Sequence, residues 1–186
     1  MKRREIVLSA AAGMLAIGLS GFSAMAQDID PENTLYMDTK HGRTVIKLRP
    51  DLAPNHVKRI KKLTREGFYD GVKFHRVIDG FMAQTGDPTG TGRGGSKYPD
   101  IKAEFSLAPF ERGILGMARS NSPNSANSQF FICFRRSSFL NGKYTVFGEV
   151  VSGMEFIDKI KRGRGQSGMV DRPDTIVKLQ VAADAK

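Results

Sequence analysis

Residues Phe74 to Asp87 read FHRVIDGFMAQTGD. Two runs rich in aromatic and branched apolar residues, VKFHRVI (72–78) and GFMAQTG (80–86), flank Asp79 and read as short strands. Alternation places Arg76 and Ile78 on one face of the first strand and His75 and Val77 on the other, without saying which face is buried. A permanent cation inside such a strand raises the question of what it faces.

Similar runs recur along the chain. TLYMDT (34–39) and RTVIKLR (43–49) flank Lys40-His41-Gly42 as a hairpin, and GILGMA (113–118), SQFFICF (128–134), YTVFGEV (144–150) and TIVKLQV (175–181) complete eight short strands. Two segments have the helical period instead. Val57, Ile60 and Leu63 share a face after Pro54, with Gly67 as a stop. Met154, Ile157 and Ile160 share another from a start at Ser152, whose spacing to Glu155 is that of a capping box, with Gly163 as the end. This count does not suit a doubly wound parallel sheet. The expected fold is mainly β, a closed eight-stranded antiparallel β-barrel with two capping α-helices, because closure removes exposed strand edges.

With 186 residues and 40% hydrophobic content, the chain has material for one substantial core. Its N-terminal stretch stands apart. Lys2, Arg3 and Arg4 precede IVLSAAAGMLAIGL, an apolar run shorter than the ~20 residues a spanning helix needs, and Ala24-Met25-Ala26 has the pattern of a signal-peptidase site. The expected organisation is a cleavable signal peptide at 1–26, a short lead at 27–32, one folded domain at 33–182 and a tail at 183–186. The expected destination is the periplasm, with secretion beyond it open. Arg3-Arg4 is an incomplete twin-arginine signal, which favours ordinary secretion. The sole cysteine, Cys133, excludes a lipid anchor at the cleavage site and an internal disulfide, and its place in FFICF suits a small buried group.

Cleavage would remove three basic groups and one acidic group, leaving +8 of the formal +10 charge. Much of the surplus lies in KRIKKLTR (58–65) and KIKRGR (159–164), which read as solvated outer faces of the two helices. No nucleic-acid partner and no stable membrane insertion of the mature form are expected.

Two polar loops carry weak signals. Gly90, Gly92 and Gly95 satisfy G-x-G-x-x-G, but Asp87-Pro88 precedes them and Tyr98-Pro99 follows, where a dinucleotide site needs a strand and then a helix. The segment reads as a tightly turning surface loop, and RSNSPNSANSQ (119–129) as a solvated connector. His41 falls in a turn, His56 on a helix and His75 in a strand, with no metal-ligand spacing, so neither metal nor cofactor is expected. No motif sets a serine or cysteine nucleophile beside a base.

One reaction needs none of these groups. Rotation about a peptide C–N bond faces a barrier of ~18–20 kcal/mol from resonance, and before proline the exchange takes on the order of tens to hundreds of seconds. Bringing that to milliseconds removes about 7 kcal/mol from the barrier with no atom transferred. It requires an apolar pocket for the proline ring and a donor aimed at the imide nitrogen as it pyramidalises, a task suited to arginine.

FHRVIDGFMAQTGD, then GTGRGG, then GILGMARSNSPNSANSQFFI, then FLNGKYTVFGEVVSGMEFIDKI together resemble the cyclophilins, a family of peptidyl-prolyl cis-trans isomerases. The likeness runs through residues 33 to 182. It implies an eight-stranded antiparallel barrel with its active groove on the outside and its interior filled by side chains. By position, Arg76 matches the catalytic arginine and Gln84 the polar neighbour that orients it and the substrate. Phe81, Met82, Phe131 and Leu140 match the apolar walls for the proline ring. Ala118 and the backbone of Arg119 match the segment that holds the residue before proline. Gln129 lines the same groove, and Gly92 matches a glycine at its rim.

Two positions depart from the family pattern. Phe139 stands where many members carry tryptophan, and Tyr144 where they carry histidine. Phe139 lacks the indole donor, so cyclosporin binding is expected to be weak. Arg119 stands at an asparagine position whose contact is made by backbone. SNSPNSANSQ is one residue longer than the common form, and the combination resembles the exported bacterial branch.

The resemblance implies a foldase acting on proline-containing unfolded or folding polypeptides, as a monomer. A non-catalytic proline-binding module or chaperone on the same fold is the alternative. A basic adhesive surface for anionic envelope components is a third reading, one that would show as salt-sensitive binding indifferent to groove mutations.

Overall fold

The computed structural model describes residues 30–186. The expected signal peptide and its cleavage point before Gln27 lie outside the described residues. All eight strands are present: β1 Thr34–Thr39, β2 Gly42–Leu48, β3 Arg76–Ile78, β4 Met82–Thr85, β5 Ile114–Met117, β6 Phe130–Cys133, β7 Val146–Ser152 and β8 Lys178–Val181. They form one sheet in the order β3-β4-β6-β5-β7-β2-β1-β8, with every paired neighbour antiparallel. Among the described residues, no helix is long and apolar enough to cross a membrane.

The sheet is an open half-barrel, which corrects the expectation of a closed one. β3 and β8 are its two edges and do not pair. The chain before each edge strand meets the other in a single bridge, Lys73 to Thr175, with Gly71 N–H donating to Ile176 O at 2.7 Å and Phe74 N–H to Asp174 O at 2.8 Å. Above that point the outer edge of β3 is taken by the loop that follows the second helix. Val77 N–H donates to Gly168 O at 2.7 Å, Gly163 N–H to Val77 O at 2.9 Å and Val170 N–H to His75 O at 3.0 Å. An irregular loop satisfies the edge groups that closure would have satisfied.

The first helix, α1, spans Pro54–Arg65 and buries Val57, Ile60 and Leu63, as its period requires. Its N-cap residue, Ala53, offers no side-chain acceptor. Glu104 supplies one from a distant loop, its carboxylate accepting from the N–H groups of Asn55 and His56, both at 3.1 Å. Gly67, with φ of 69°, stops the helix, and Phe68 N–H donates back to Leu63 O. The basic run on α1 is less free than expected. Lys61 and Arg65 both pair with Glu32, and Arg65 also with Asp184, which ties both ends of the domain to this helix.

The second helix, α2, is only Met154–Ile157, shorter than the expected run from Ser152 to Gly163. Ser152 remains the last residue of β7, paired with Val45, so it caps nothing. The turn into the helix is made by Gly153 at φ 82°, where a Cβ would lie 2.4 Å from Arg43 O. The expected apolar face is real: Ile157 and Ile160 are buried and Met154 packs on the core, although the last turn tightens to bonds such as Ile160 N–H to Ile157 O.

Where the two edges approach, Asp174 is buried and accepts from Lys161 N–H at 2.9 Å, beside Lys40 and His41. Burial alone would raise its pKa, but the Lys40 ammonium, Lys161 N–H and His41 hold it at about 2. A folded-state pKa below the unfolded value means stability that is present above pH ~4 and lost as pH falls towards ~2, worth about 2 kcal/mol. Urea unfolding at a series of pH values is expected to show this loss. Asp174→Asn should be less stable at neutral pH and flatter with acid; identical profiles for the two proteins would refute the assignment.

Candidate active site

Cross-strand register decides what Arg76 faces. Arg76 pairs with Gln84, Gln84 with Phe131, and Phe131 with Gly116, so the four occupy one rung across β3, β4, β6 and β5. The adjacent rung, Val77, Ala83, Ile132 and Leu115, points the other way into the main core. Side chains on neighbouring strands at one rung share a face. Arg76 therefore faces outward with Gln84 and Phe131. A second, smaller apolar cluster covers this outer face, built from Met82, Phe110, Phe131, Cys133, Leu140 and Val146. Cys133 is part of that cluster, and burial pushes its thiol up to about 12.

Among the described residues, Arg76 is fixed by neutral partners only. Nε donates to Ser167 O at 3.0 Å and Nη1 to Gln84 Oε1 at 3.1 Å. Gln84 Nε2 donates in turn to Gln129 Oε1 at 2.9 Å, and Gln129 Nε2 to the carbonyls of Gly92 and Gly94 at 3.1 and 2.8 Å. Four side-chain links thus run from the loop at β3's edge to the glycine-rich loop. Partial burial draws the guanidinium's pKa down from its ordinary value, with Tyr144 opposing, yet arginine remains cationic at any working pH.

A cavity of about 240 Å³ opens against this arginine, lined by Arg76, Phe81, Met82, Gln84, Ala118, Arg119, Phe131, Phe139, Leu140 and Tyr144. Ten of the residues singled out from the sequence are therefore brought together. The other two, Gly92 and Gln129, line the adjoining cavity, which shares Gln84, Ala118 and Arg119 with the first. Phe131 forms the floor, stacked on Phe110 at 5.7 Å and edge-on to Tyr144 at 5.9 Å. Phe139 lies over Phe81 at 5.3 Å and is 63% exposed. Ala118 N–H donates to Gln129 O, extending the β5–β6 ladder beyond its last pair. The Arg119 side chain does more than its backbone reading suggested. It stacks on Tyr144 at 4.5 Å and donates to Lys143 O at 3.0 Å, joining two walls of the groove.

Several residues at the site gave no sequence signal. Gly116 has no side chain, and its role is the space it leaves for Phe110 and Phe131. Ser167 acts through its carbonyl. Asp87, fully buried, organises the loop containing Gly90, Gly92 and Gly95. Its carboxylate accepts from Thr89 Oγ1 at 2.8 Å and from the N–H groups of Thr89, Gly92 and Gly94 at 2.8, 2.6 and 3.1 Å. Burial would raise its pKa, and those donors bring it down to about 2. The glycines therefore wrap a carboxylate of the protein itself.

An open antiparallel half-barrel with an apolar groove on its outer face and an arginine at the edge of that groove defines the cyclophilin-like class. The model of the family described as "Cyclophilin type peptidyl-prolyl cis-trans isomerase/CLD" matches residues 34–181. A probable peptidyl-prolyl cis-trans isomerase of Brucella suis biovar 1 is 54% identical over 189 residues, covering 95% of this chain and 96% of that protein. Among solved structures, the cyclophilin AquaCyp293 from Hirschia baltica superposes with a TM-score of 0.76 at 29% identity, over 85% of this chain and 77% of that one. A cyclophilin-type isomerase of Cryptosporidium parvum, crystallised in the presence of the dipeptide Ala-Pro, superposes with a TM-score of 0.74 at 30% identity, over 80% and 98% of the two chains. The chain belongs to the cyclophilin family of peptidyl-prolyl cis-trans isomerases, and its activity is that of the family.

Proposed function

We propose that the outer groove binds proline-containing segments of exported proteins and that Arg76 catalyses rotation about the X-Pro bond. The observation that carries this reading is a guanidinium held by Gln84 and Ser167 O at the side of an apolar cavity, with no carboxylate among the described residues to neutralise it. The proline ring sits on Phe131 between Met82, Leu140 and Phe81. The residue before it runs along Ala118 and Arg119. As the bond twists, the imide nitrogen loses resonance and gains a lone pair, to which Arg76 donates. That interaction exists only in the twisted state, so it lowers the barrier without tightening the ground state. The Ala-Pro dipeptide named with the Cryptosporidium relative supports a proline-peptide ligand here. Phe139 presents a ring without an N–H donor, which supports weak cyclosporin binding.

Export as a mature form starting at Gln27, with function in the periplasm as a monomer, completes the reading. It rests on Lys2-Arg3-Arg4, the apolar run and Ala24-Met25-Ala26. Intact-mass analysis of the protein from a periplasmic extract is expected to give a chain lacking residues 1–26.

Exchange NMR on an Ala-Pro peptide tests the catalytic reading. Substoichiometric protein is expected to speed exchange from the uncatalysed scale of ~10–100 s to milliseconds. Saturable binding without faster exchange would demote the protein to a proline-recognition module.

A further inference from the structure

The larger cavity adjoining the proline pocket measures about 580 Å³ and runs from Gln84 and Ala118 between the loop at 92–96 and the loop at 119–127. Its charge is one-sided. Arg93 and Arg119 border it, Arg76 borders the neighbouring pocket, and none of the three has a carboxylate within ion-pair distance among the described residues, although Arg43, Arg49, Arg65, Arg112 and Arg162 all do. Arg119 is held by the carbonyls of Lys143, Ser120 and Asn121, which fix its position and leave its charge uncompensated. Among the described residues, Asp100 is the one acidic residue in the lining, and its carboxylate is engaged by Asn127 Nδ2 at 3.0 Å.

Arg93 is presented on backbone clamped from both sides. The N–H groups of its two neighbours, Gly92 and Gly94, donate to Asp87, and the carbonyls of the same two residues accept from Gln129 Nε2. Its own side chain has no hydrogen-bond or ionic partner among the described residues. A cation carried on a fixed loop beside a polar cavity, with no partner among the described residues, is available to a ligand of opposite charge.

We infer that this cavity recognises an acidic side chain two residues before the substrate proline, which gives the enzyme a preference for Asp or Glu at that position in its clients. The inference rests on the isomerase reading above, with the residues before proline running past Ala118. An extended peptide advances about 3.3 Å per residue, so the second residue back has left the proline pocket and lies over the adjoining cavity. Arg93 supplies the specificity and Arg119 supports it from the opposite wall. Ion pairs exposed to solvent contribute modestly, so the expected discrimination is about three- to fivefold in kcat/KM for Glu over Gln. Lys at the same position is disfavoured by a similar factor.

The test compares the peptides Ala-Glu-Ala-Pro-Phe, Ala-Gln-Ala-Pro-Phe and Ala-Lys-Ala-Pro-Phe by exchange NMR at low ionic strength. Wild type is expected to rank them Glu, Gln, Lys. Raising ionic strength from about 20 mM to about 0.5 M should compress the spread, because the Debye length falls from about 20 Å to about 4 Å and exposed charges are screened. Arg93→Gln should bring the Glu to Gln ratio close to one, Arg93→Glu should put Lys ahead of Glu, and Asp100→Asn should widen the wild-type preference. Equal rates for all three peptides with wild type, or a Glu preference that survives both Arg93 substitutions, would overturn the inference. Failure of wild type to accelerate even the Gln peptide would instead sink the isomerase reading on which it rests.

Discussion

Arg76→Ala is expected to lower kcat for an Ala-Pro peptide by about a hundred- to a thousandfold, the usual cost of removing one donor aimed at developing charge. Peptide dissociation should change far less, by under about threefold, because in the function proposed the proline ring rests on Phe131, Met82 and Leu140 and the donor acts mainly on the twisted bond. The fold should survive. Arg76 is only partly buried, and its removal leaves Gln84 Oε1 and Ser167 O beside an open cavity where water can reach them. Arg76→Lys separates charge from geometry. An ammonium keeps the charge but is not a planar fork able to hold Gln84 Oε1 and Ser167 O while leaving a third donor for the substrate. Lysine should therefore recover only a small part of the lost rate. Equal losses in kcat and in binding would mean that Arg76 holds the ground-state peptide, contrary to the mechanism proposed.

The outer groove was legible because its residues occur in ordered blocks, and eight strands were legible because each is short, branched or aromatic, and bounded by turn residues. What the sequence hid is long-range. Alternation gave β3 two faces, but only pairing with Gln84 and Phe131 two strands away tells which one turns outward. A closed barrel followed from the need to protect strand edges, and the protein meets that need by laying residues 163–170 along β3. The expected helix start at Ser152 failed for a similar reason: its pairing with Val45 keeps Ser152 in the sheet, and Gly153 makes the turn. Arg93 and Asp87 were passed over in and beside a segment read as a tightly turning surface loop, because the carboxylate that orders the loop lies outside the glycine motif.

Gly116 makes the second large prediction, and it is steric. Its backbone needs no unusual conformation, so Gly116→Ala tests space alone. An added Cβ would sit 2.5 Å from Phe131 Cζ and 2.6 Å from Phe110 Cε1, well inside contact distance. One ring must move. Phe110 is fully buried, its N–H donates to Asn141 Oδ1 at 2.9 Å and its carbonyl accepts from Ser137 N–H at 2.7 Å. Phe131 faces the cavity and has room on that side. The strain should therefore drive Phe131 into the place proposed for the proline ring. Overpacking of this kind costs about 1–3 kcal/mol of stability, seen as a lower urea midpoint. Peptide affinity and kcat/KM should fall together by about tenfold or more, as a side chain that blocks the pocket affects ground and transition states alike. Phe110→Leu in the same chain should restore part of both by removing the second ring. If stability drops while peptide affinity holds, Phe110 or the β5 backbone has yielded instead. The proline floor would then be set by Phe131 independently of the glycine beneath it.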